Sequence, residues 1–127
     1  MGYRSDVKIV MKTEDRLSML NYSAALALEF GDHEHYEEFI ANAEWFDRGF
    51  RLHYEDIKWY PACDFVGLIK RSLDLAIKHR GAFSFARCGE EASDVEIHYE
   101  SFDVDVIDLC DAITTYTHTE FTYLINI

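Results

Sequence analysis

The sequence predicts an α+β fold, a two-layer sandwich in which a mostly antiparallel sheet of about four to six strands carries two or three helices on one face. Apolar residues switch between a helical period and a strand period several times along the chain. In the second half, two predicted strands follow each other across a short, turn-rich link, which favours antiparallel pairing. With 127 residues, of which 49% are hydrophobic, the chain supplies one core, so we expect a single domain over residues 1–127.

The first third of the chain predicts a strand and two helices. Val7, Ile9 and Met11 share one face of a strand over residues 6–11. Residues 13–15 hold a capping residue followed by acids, as the starts of helices do. The helix that follows is predicted to bury the stripe Leu17, Leu20, Ala24 and Leu28. A second, short helix capped by Asp32 has the stripe Tyr36, Phe39, Ile40 and Ala43.

The middle of the chain predicts one strand and the most regular helix. Apolar residues alternate from Phe50 to Tyr54, in a strand that continues toward Tyr60 and ends at Pro61. Asp64 is predicted to cap the next helix, and cations followed by Gly81 mark its end. The predicted buried stripe of this helix is Phe65, Val66, Leu68, Ile69, Leu73, Ala76 and Ile77.

Two further strands are predicted on either side of the turn-rich residues 89–94. The first covers residues 82–88, and the second places Val95, Ile97 and Tyr99 inward while its acids point outward. Residues 104–116 fit a helix and a strand equally well, and residues 121–125 fit a final strand.

The charge of the chain is concentrated in its last third. Residues 88–127 contain ten acidic residues and neither lysine nor arginine, whereas residues 1–87 contain 14 acids and all 12 basic residues. This balance disfavours direct binding to nucleic acid or to an anionic membrane. No apolar run approaches the roughly 20 residues that span a bilayer. Cys63, Cys88 and Cys110 are an odd, widely spaced set, which favours a reducing cytosol.

Two interpretations of the acidic segment stay open, a solvated face and an interaction surface. Its candidate partner-binding residues are Glu90, Glu91, Asp94, Glu96, Glu100, Asp103, Asp105, Asp108 and Asp111. A second candidate is the aromatic pair Trp59 and Tyr60, since these residue types dominate binding hot spots. The alternative for that pair is packing in the core.

Motifs that carry chemistry are missing from the sequence. There is no H-E-x-x-H, C-x-x-C or calcium-loop spacing for a metal, and no G-x-S-x-G, P-loop or G-x-G-x-x-G. His33 and His35 form an H-x-H pair, but at a predicted helix start their side chains point apart. We therefore predict no metal, no cofactor and no enzymatic activity.

Short segments of the chain resemble a family of proteins. The opening Met1-Gly2-Tyr3-Arg4-Ser5-Asp6-Val7 resembles the start of small, mostly uncharacterised proteins of tailed bacteriophages and prophages. Lys58-Trp59-Tyr60, which precedes a predicted helix, is similar to the K-W-Y motif of that family. Residues 85–90 are similar to its R-x-G-E pattern, and residues 93–96 to the D-I-E pattern that follows. The resemblance implies a phage origin and no catalytic residues. Because the strands near Asp6 and Cys88 are expected to be neighbours, we predict that Arg4, Arg87 and Glu90 share one charged network.

The leading hypothesis combines the phage resemblance with the acidic segment. It describes a binding protein of the host cytoplasm that inhibits a host protein complex with a basic surface. Such a complex is a nucleic-acid-handling antiviral defence system, such as CRISPR, whose basic groove an acidic face can occupy. A homodimer is left open. The alternative function is sequestration of a nucleotide signal, in a pocket lined by Arg4, Arg51, Trp59, Tyr60 and Arg87.

Overall fold

The computed structural model of the protein describes residues 3–102, which form three helices and a five-stranded sheet. The elements are β1 (Ser5–Thr13), α1 (Arg16–Phe30), α2 (Tyr36–Asn42), β2 (Glu44–Phe46), β3 (Gly49–Ile57), α3 (Asp64–Lys78), β4 (Gly81–Gly89) and β5 (Val95–Ser101). The strand order is β2-β3-β1-β4-β5, and every neighbouring pair is antiparallel. The predicted α+β sandwich is confirmed. The expectations for residues 104–116 and 121–125 lie outside the described residues.

The central strand β1 builds two different faces. Val7, Ile9 and Met11 are fully buried on the face that carries the helices, as the alternation predicts. Val10 lies on the opposite face, where it forms a smaller apolar cluster with Ala82, Ala86 and Cys88. A β-strand alternates its side chains between the two faces of a sheet, so the pattern of β1 assigns a face to every residue paired with it.

Helix α1 corrects the predicted stripe. Leu17, Leu20 and Leu28 are exposed, and the helix instead buries Met19, Tyr22, Leu26 and Phe30. Both sets have helical spacing, because this helix is apolar nearly all the way round. The buried set contains the two aromatic rings, which reach across to the sheet and to α3, and larger rings bury more area. Its N-cap is Asp15, whose carboxylate accepts a hydrogen bond from the Ser18 amide at 2.8 Å.

Helix α3 follows its predicted stripe closely. Val66, Leu68, Ile69, Leu73 and Ala76 are buried, while the flanking Phe65 and Ile77 are half-buried against the core. The prediction that Asp64 caps the helix is wrong: Cys63 occupies the N-cap without a side-chain hydrogen bond, and Asp64 is the first helical residue. At the other end Arg80, rather than Gly81, adopts the left-handed backbone, with a φ of 61°.

Two other boundaries differ from the sequence prediction. Strand β3 ends at Ile57 instead of continuing toward Tyr60. The three-residue strand β2 was not predicted, because so short a segment carries almost no alternation. Within residues 3–102, no helix has both the length and the apolar character that crossing a bilayer requires.

Candidate functional site

The acidic segment begins on the β4–β5 hairpin. Five of its candidate residues lie in the described part of the chain: Glu90, Glu91, Asp94, Glu96 and Glu100. Glu90, Glu91 and Glu100 are exposed, whereas Asp94 and Glu96 are half-buried. The other four candidates, Asp103, Asp105, Asp108 and Asp111, lie outside the described residues.

Arg87 neutralises the two half-buried acids. Its guanidinium donates to both carboxylate oxygens of Asp94, at 2.8 and 3.2 Å, and to Glu96 at 3.0 Å. A further hydrogen bond of 3.1 Å runs to the Ser5 hydroxyl. Bidentate pairs of this kind are the strong form of the ion pair. The hydrogen bond from Arg87 lowers the pKa of Asp94, and the hydrogen bonds to Asp94 and Glu96 raise the pKa of Arg87.

Two opposite effects act on the pKa of Glu96. Burial alone would raise its pKa, but hydrogen bonds from Arg87 and His98 outweigh burial, so the pKa is lowered. Its second carboxylate oxygen lies 2.7 Å from Nε2 of His98. Glu96 is therefore a charged partner within the fold, and its replacement would disturb the Arg87 network.

The N-terminal segment closes over this network. The Tyr3 hydroxyl donates to Asp94 at 2.7 Å and accepts from the Glu91 amide at 3.2 Å, while the Arg4 amide donates to Glu90 at 2.8 Å. Gly89 lies beneath these groups, and a Cβ there would collide with the Asp94 carboxylate and the Tyr3 hydroxyl.

The predicted neighbourhood of the strand ends is confirmed, because Ser5 of β1 pairs with Gly89 of β4. The predicted network of Arg4, Arg87 and Glu90 has a different centre, however. Asp94 joins Arg87 to the N-terminal segment, and Arg4 reaches Glu90 only through its backbone amide. Sequence reasoning missed the role of Asp94, because the pairing depends on how the turn of residues 89–94 folds back.

A groove of about 270 Å³ lies between α3 and β5. Its lining residues come from α3, β4 and β5 and are Lys70, Leu73, Asp74, Phe83, Phe85, Glu96, His98, Tyr99 and Glu100. The cross-strand partners of His98 and Glu100 are Phe85 and Phe83, so both polar residues share the helix-side face with these aromatic rings. The His98 ring stacks on Phe85 with centroids 5.9 Å apart.

The orientation of β5 therefore needs a correction. The side chains of β5 that were expected to point away from the helices lie on the helix side of the sheet; they are Glu96, His98 and Glu100. They keep access to solvent because β5 is at the edge of the described sheet. Val95 and Ile97 pack on the opposite face, against the cluster that contains Val10. Tyr99, predicted to point inward, is 48% exposed.

The aromatic pair is divided between core and surface. Trp59 is 9% exposed and its ring contacts those of Phe65 and Phe85, so it contributes to the core. Tyr60 reaches the surface, and its hydroxyl donates to the Tyr3 carbonyl at 3.0 Å. Of the two, Tyr60 alone offers surface to a partner.

The pocket of the alternative function is not assembled. Arg87 pairs with Val7 and Arg51 with Val10, which places the two arginines on opposite faces of the sheet. The Arg51 guanidinium is engaged by Glu44 at 2.6 Å, and Arg87 is engaged by Asp94 and Glu96.

His33 and His35 lie before α2 rather than in its first turn, so the expectation that they point apart is wrong: their ring centroids are 5.7 Å apart. Across residues 3–102, no three His, Cys, Asp or Glu side chains are grouped in a way that would hold a metal ion.

Three regions that are far apart in sequence thus meet at one end of the sheet: residues 3–6, residues 56–60 and the two sides of the 87–96 turn. These positions include most of those on which the predicted resemblance to phage proteins rests. Comparison of the chain with models of known families, with curated proteins and with solved structures finds no match.

Proposed function

We propose that the protein is a non-catalytic binding protein that docks through its acidic β4–β5 side onto a basic surface of another protein. The observation that carries the proposal is the α3–β5 groove. Asp74 and Glu100 line it beside Phe83 and Phe85, and neither acid has a salt bridge within the described residues. Lys70 is the single lysine or arginine among the residues that line the groove, beside His98.

An arginine side chain matches this groove chemically. A guanidinium stacks on aromatic rings and donates to carboxylates at the same time, which a compact ammonium does less well. The groove offers the carboxylates of Asp74 and Glu100 and the exposed ring of Tyr99, while Phe83 and Phe85 form its buried floor. Glu90 and Glu91 extend the negative charge along the hairpin, and this wider field favours fast association with a cationic partner.

Because Arg87 pairs with two acids of the segment, not every acidic residue is available to a partner. Asp94 and Glu96 are neutralised within the fold and hold the hairpin in place, so they serve the surface by positioning it. Asp74 and Glu100 have no salt bridge within the described residues, so they are the acids proposed to contact a partner. The acidic residues of the hairpin and of α3 thus divide into a positioning group, Asp94 and Glu96, and a binding group, Glu100 and Asp74.

The phage resemblance extends the proposal to the kind of partner. A host complex that holds nucleic acid displays basic grooves, and an acidic protein that occupies such a groove displaces the nucleic acid by charge complementarity. We therefore propose a host antiviral complex of that class as the target and inhibition by occupation as the mode of action.

The test is an affinity purification from host lysate, followed by association kinetics with the partner recovered. Asp74→Lys combined with Glu100→Lys should slow association roughly tenfold or more and weaken its dependence on salt. The matched control is Asp32→Lys combined with Glu37→Lys, which changes the net charge equally at two exposed positions outside the groove. Equal association rates for the two variants, or a lysate that yields no salt-sensitive partner, would refute the proposal.

A further inference from the structure

Three basic side chains lie together on the face of the sheet opposite the helices. Lys8 of β1 pairs with His53 of β3, and Arg51 is two residues from His53 on the same side of β3. Cross-strand and diagonal neighbours on one face are close enough for long side chains to meet. In a chain with a formal net charge of −12, this cluster is locally basic.

Lys8 is the most deeply buried of the three. Its side chain is 1% exposed, and within residues 3–102 its ammonium has neither a salt bridge nor a hydrogen bond. Burial and the charge of Arg51 lower the pKa of Lys8 to about 8, although Glu44 acts in the opposite direction. A charge withdrawn from water without a partner costs free energy, so an anion beside Lys8 would stabilise the fold.

His53 provides a second group without a partner. Its Nε2 atom is buried and has no hydrogen bond among the described residues, since the Glu55 carboxylate, at 3.9 Å, is too far away for one. Burial lowers the pKa of His53, and the charge of Lys8 lowers it further. The imidazole is therefore mainly neutral at pH 7, and it can carry its single N–H on Nε2 and donate it.

A cavity of about 220 Å³ lies beside these side chains. Its lining residues are Lys8, Asn42, Glu44, Arg51, Leu52 and His53. It opens where β2 stops, because β2 pairs with β3 only as far as Arg51. Liquid water takes about 30 Å³ per molecule, so the cavity has room for a small polyatomic anion. It is at the opposite edge of the sheet from the α3–β5 groove and shares no residue with it.

We propose that Lys8, Arg51 and His53 bind a phosphate group in this cavity. A phosphate group offers at least three acceptor oxygens, so the ammonium, the guanidinium and the imidazole N–H can each have their own. Arg51 donates to Glu44 at 2.6 Å, but a guanidinium has five N–H donors, and several are not used by that contact. Their fork geometry also matches phosphate oxygens.

The chemistry of the donors favours phosphate over a carboxylate. A carboxylate has two oxygens, so three donors could be satisfied only if two of them shared one oxygen. A phosphate group carries more negative charge, which suits a site with two cations. The site shares only Arg51 with the nucleotide pocket predicted from the sequence, and it does not depend on the proposed docking surface.

The test is isothermal titration calorimetry with inorganic phosphate, at constant ionic strength and with sodium chloride as the reference salt. The wild type should bind with a roughly millimolar dissociation constant, and its melting temperature should rise with phosphate concentration. Lys8→Met keeps an unbranched side chain and removes the ammonium, so it should raise the dissociation constant about tenfold or more. The matched control is Lys12→Met, on the same strand and face but outside the cavity, which should leave the dissociation constant unchanged.

Glu44→Gln provides a second test with the opposite sign. This substitution removes the carboxylate that competes for Arg51, so it should lower the dissociation constant about threefold. A general loss of structure cannot produce tighter binding. The Glu44 side chain is 68% exposed, so the variant should fold and decides the question even if Lys8→Met does not. Glu37→Gln, at an exposed position outside the cavity, is its control.

A nucleoside monophosphate in place of inorganic phosphate identifies the source of the group. Tighter binding of the nucleotide would mean that the site takes a phosphate ester, and equal or weaker binding would mean that it takes free phosphate; both support the phosphate site. Three results would overturn it. They are no heat or stabilisation from either ligand beyond that of sodium chloride, equal losses in Lys8→Met and Lys12→Met, and weaker phosphate binding by Glu44→Gln.

Discussion

Helices α1 and α3 have the same length and lie on the same face of the sheet, yet their outer sides are opposite in character. Each has 15 residues, and each buries one stripe in the common core. Helix α3 directs Lys70, Arg71 and Asp74 to the outside, whereas α1 directs leucines there. The outer side of α3 is charged, and its Asp74 also lines the groove proposed above as a binding surface. The comparison teaches that, among the described residues, the core uses one side of α1 and leaves an apolar side exposed.

The sharpest way to break this comparison is to truncate one leucine on each helix. Leu68→Ala removes a fully buried side chain of α3 and should cost about 2–5 kcal/mol of unfolding free energy. Leu20→Ala on α1 should change it by no more than about 0.5 kcal/mol. Chemical denaturation measures both changes in the free energy of unfolding. Equal losses would mean that the outer side of α1 is part of the core.

The contact between the helices offers a second test. The buried Tyr22 of α1 donates its hydroxyl to the Ser72 carbonyl of α3 at 3.1 Å, and burial raises the pKa of this hydroxyl far above its usual value. Tyr22→Phe keeps the ring and removes this bond, so we expect a loss of about 1 kcal/mol by denaturant titration. Tyr99→Phe, on an exposed ring, is the matched control and should leave the free energy of unfolding almost unchanged.

Substitutions at the N-termini of the two helices should give the smallest difference in stability between α1 and α3. Asp15 caps α1 through the Ser18 amide, whereas Asp64 merely sits in the first turn of α3. Asp15→Ala should therefore lower the denaturation midpoint at pH 7 more than Asp64→Ala does. A reversed order would contradict the assignment of the caps.

The cap on α1 also predicts a dependence on pH. The hydrogen bond from Ser18 lowers the pKa of Asp15 in the folded chain, so its stabilising effect is complete above the ordinary aspartate pKa. That effect disappears as the pH falls through the folded pKa. The difference in free energy of unfolding between the wild type and Asp15→Ala should thus become smaller at acidic pH. The side chain of Asp15→Asn does not titrate, so the stability of this variant relative to the wild type should increase as the pH falls over the same range.

The contrast between the helices also marks where sequence reasoning succeeds. Helix α3 has a single apolar stripe, so its buried residues follow directly from the pattern. Strands β1 and β4 are similarly clear, because their alternation leaves one choice of face. In α1 two stripes of equal period compete, and only the shape of the sheet beneath selects the one that contains Tyr22 and Phe30. Tertiary packing decides that choice, and no local pattern records it.

The candidate site was predictable in its charge and not in its geometry. The composition of residues 88–127 identifies the acidic side, and the proximity of Asp6 and Cys88 follows from pairing two obvious strands. The assignment of Glu96 to Arg87, and of His98 to Phe85, depends on the register of β5 across an irregular turn. A shift of one residue in that register would exchange the two faces, so sequence alone leaves the groove undefined.

The position of β1 has a consequence for how the chain folds. This strand is synthesised before both of its neighbours, β3 and β4, and each is separated from it by at least one helix. During translation both edges of β1 stay unpaired until β3 and β4 have been synthesised. Formation of the sheet is therefore dominated by contacts far apart in sequence, and such topologies fold slowly compared with helical bundles of similar size. An unpaired apolar strand is also prone to associate with other chains, so the yield of folded protein should depend on expression rate and temperature.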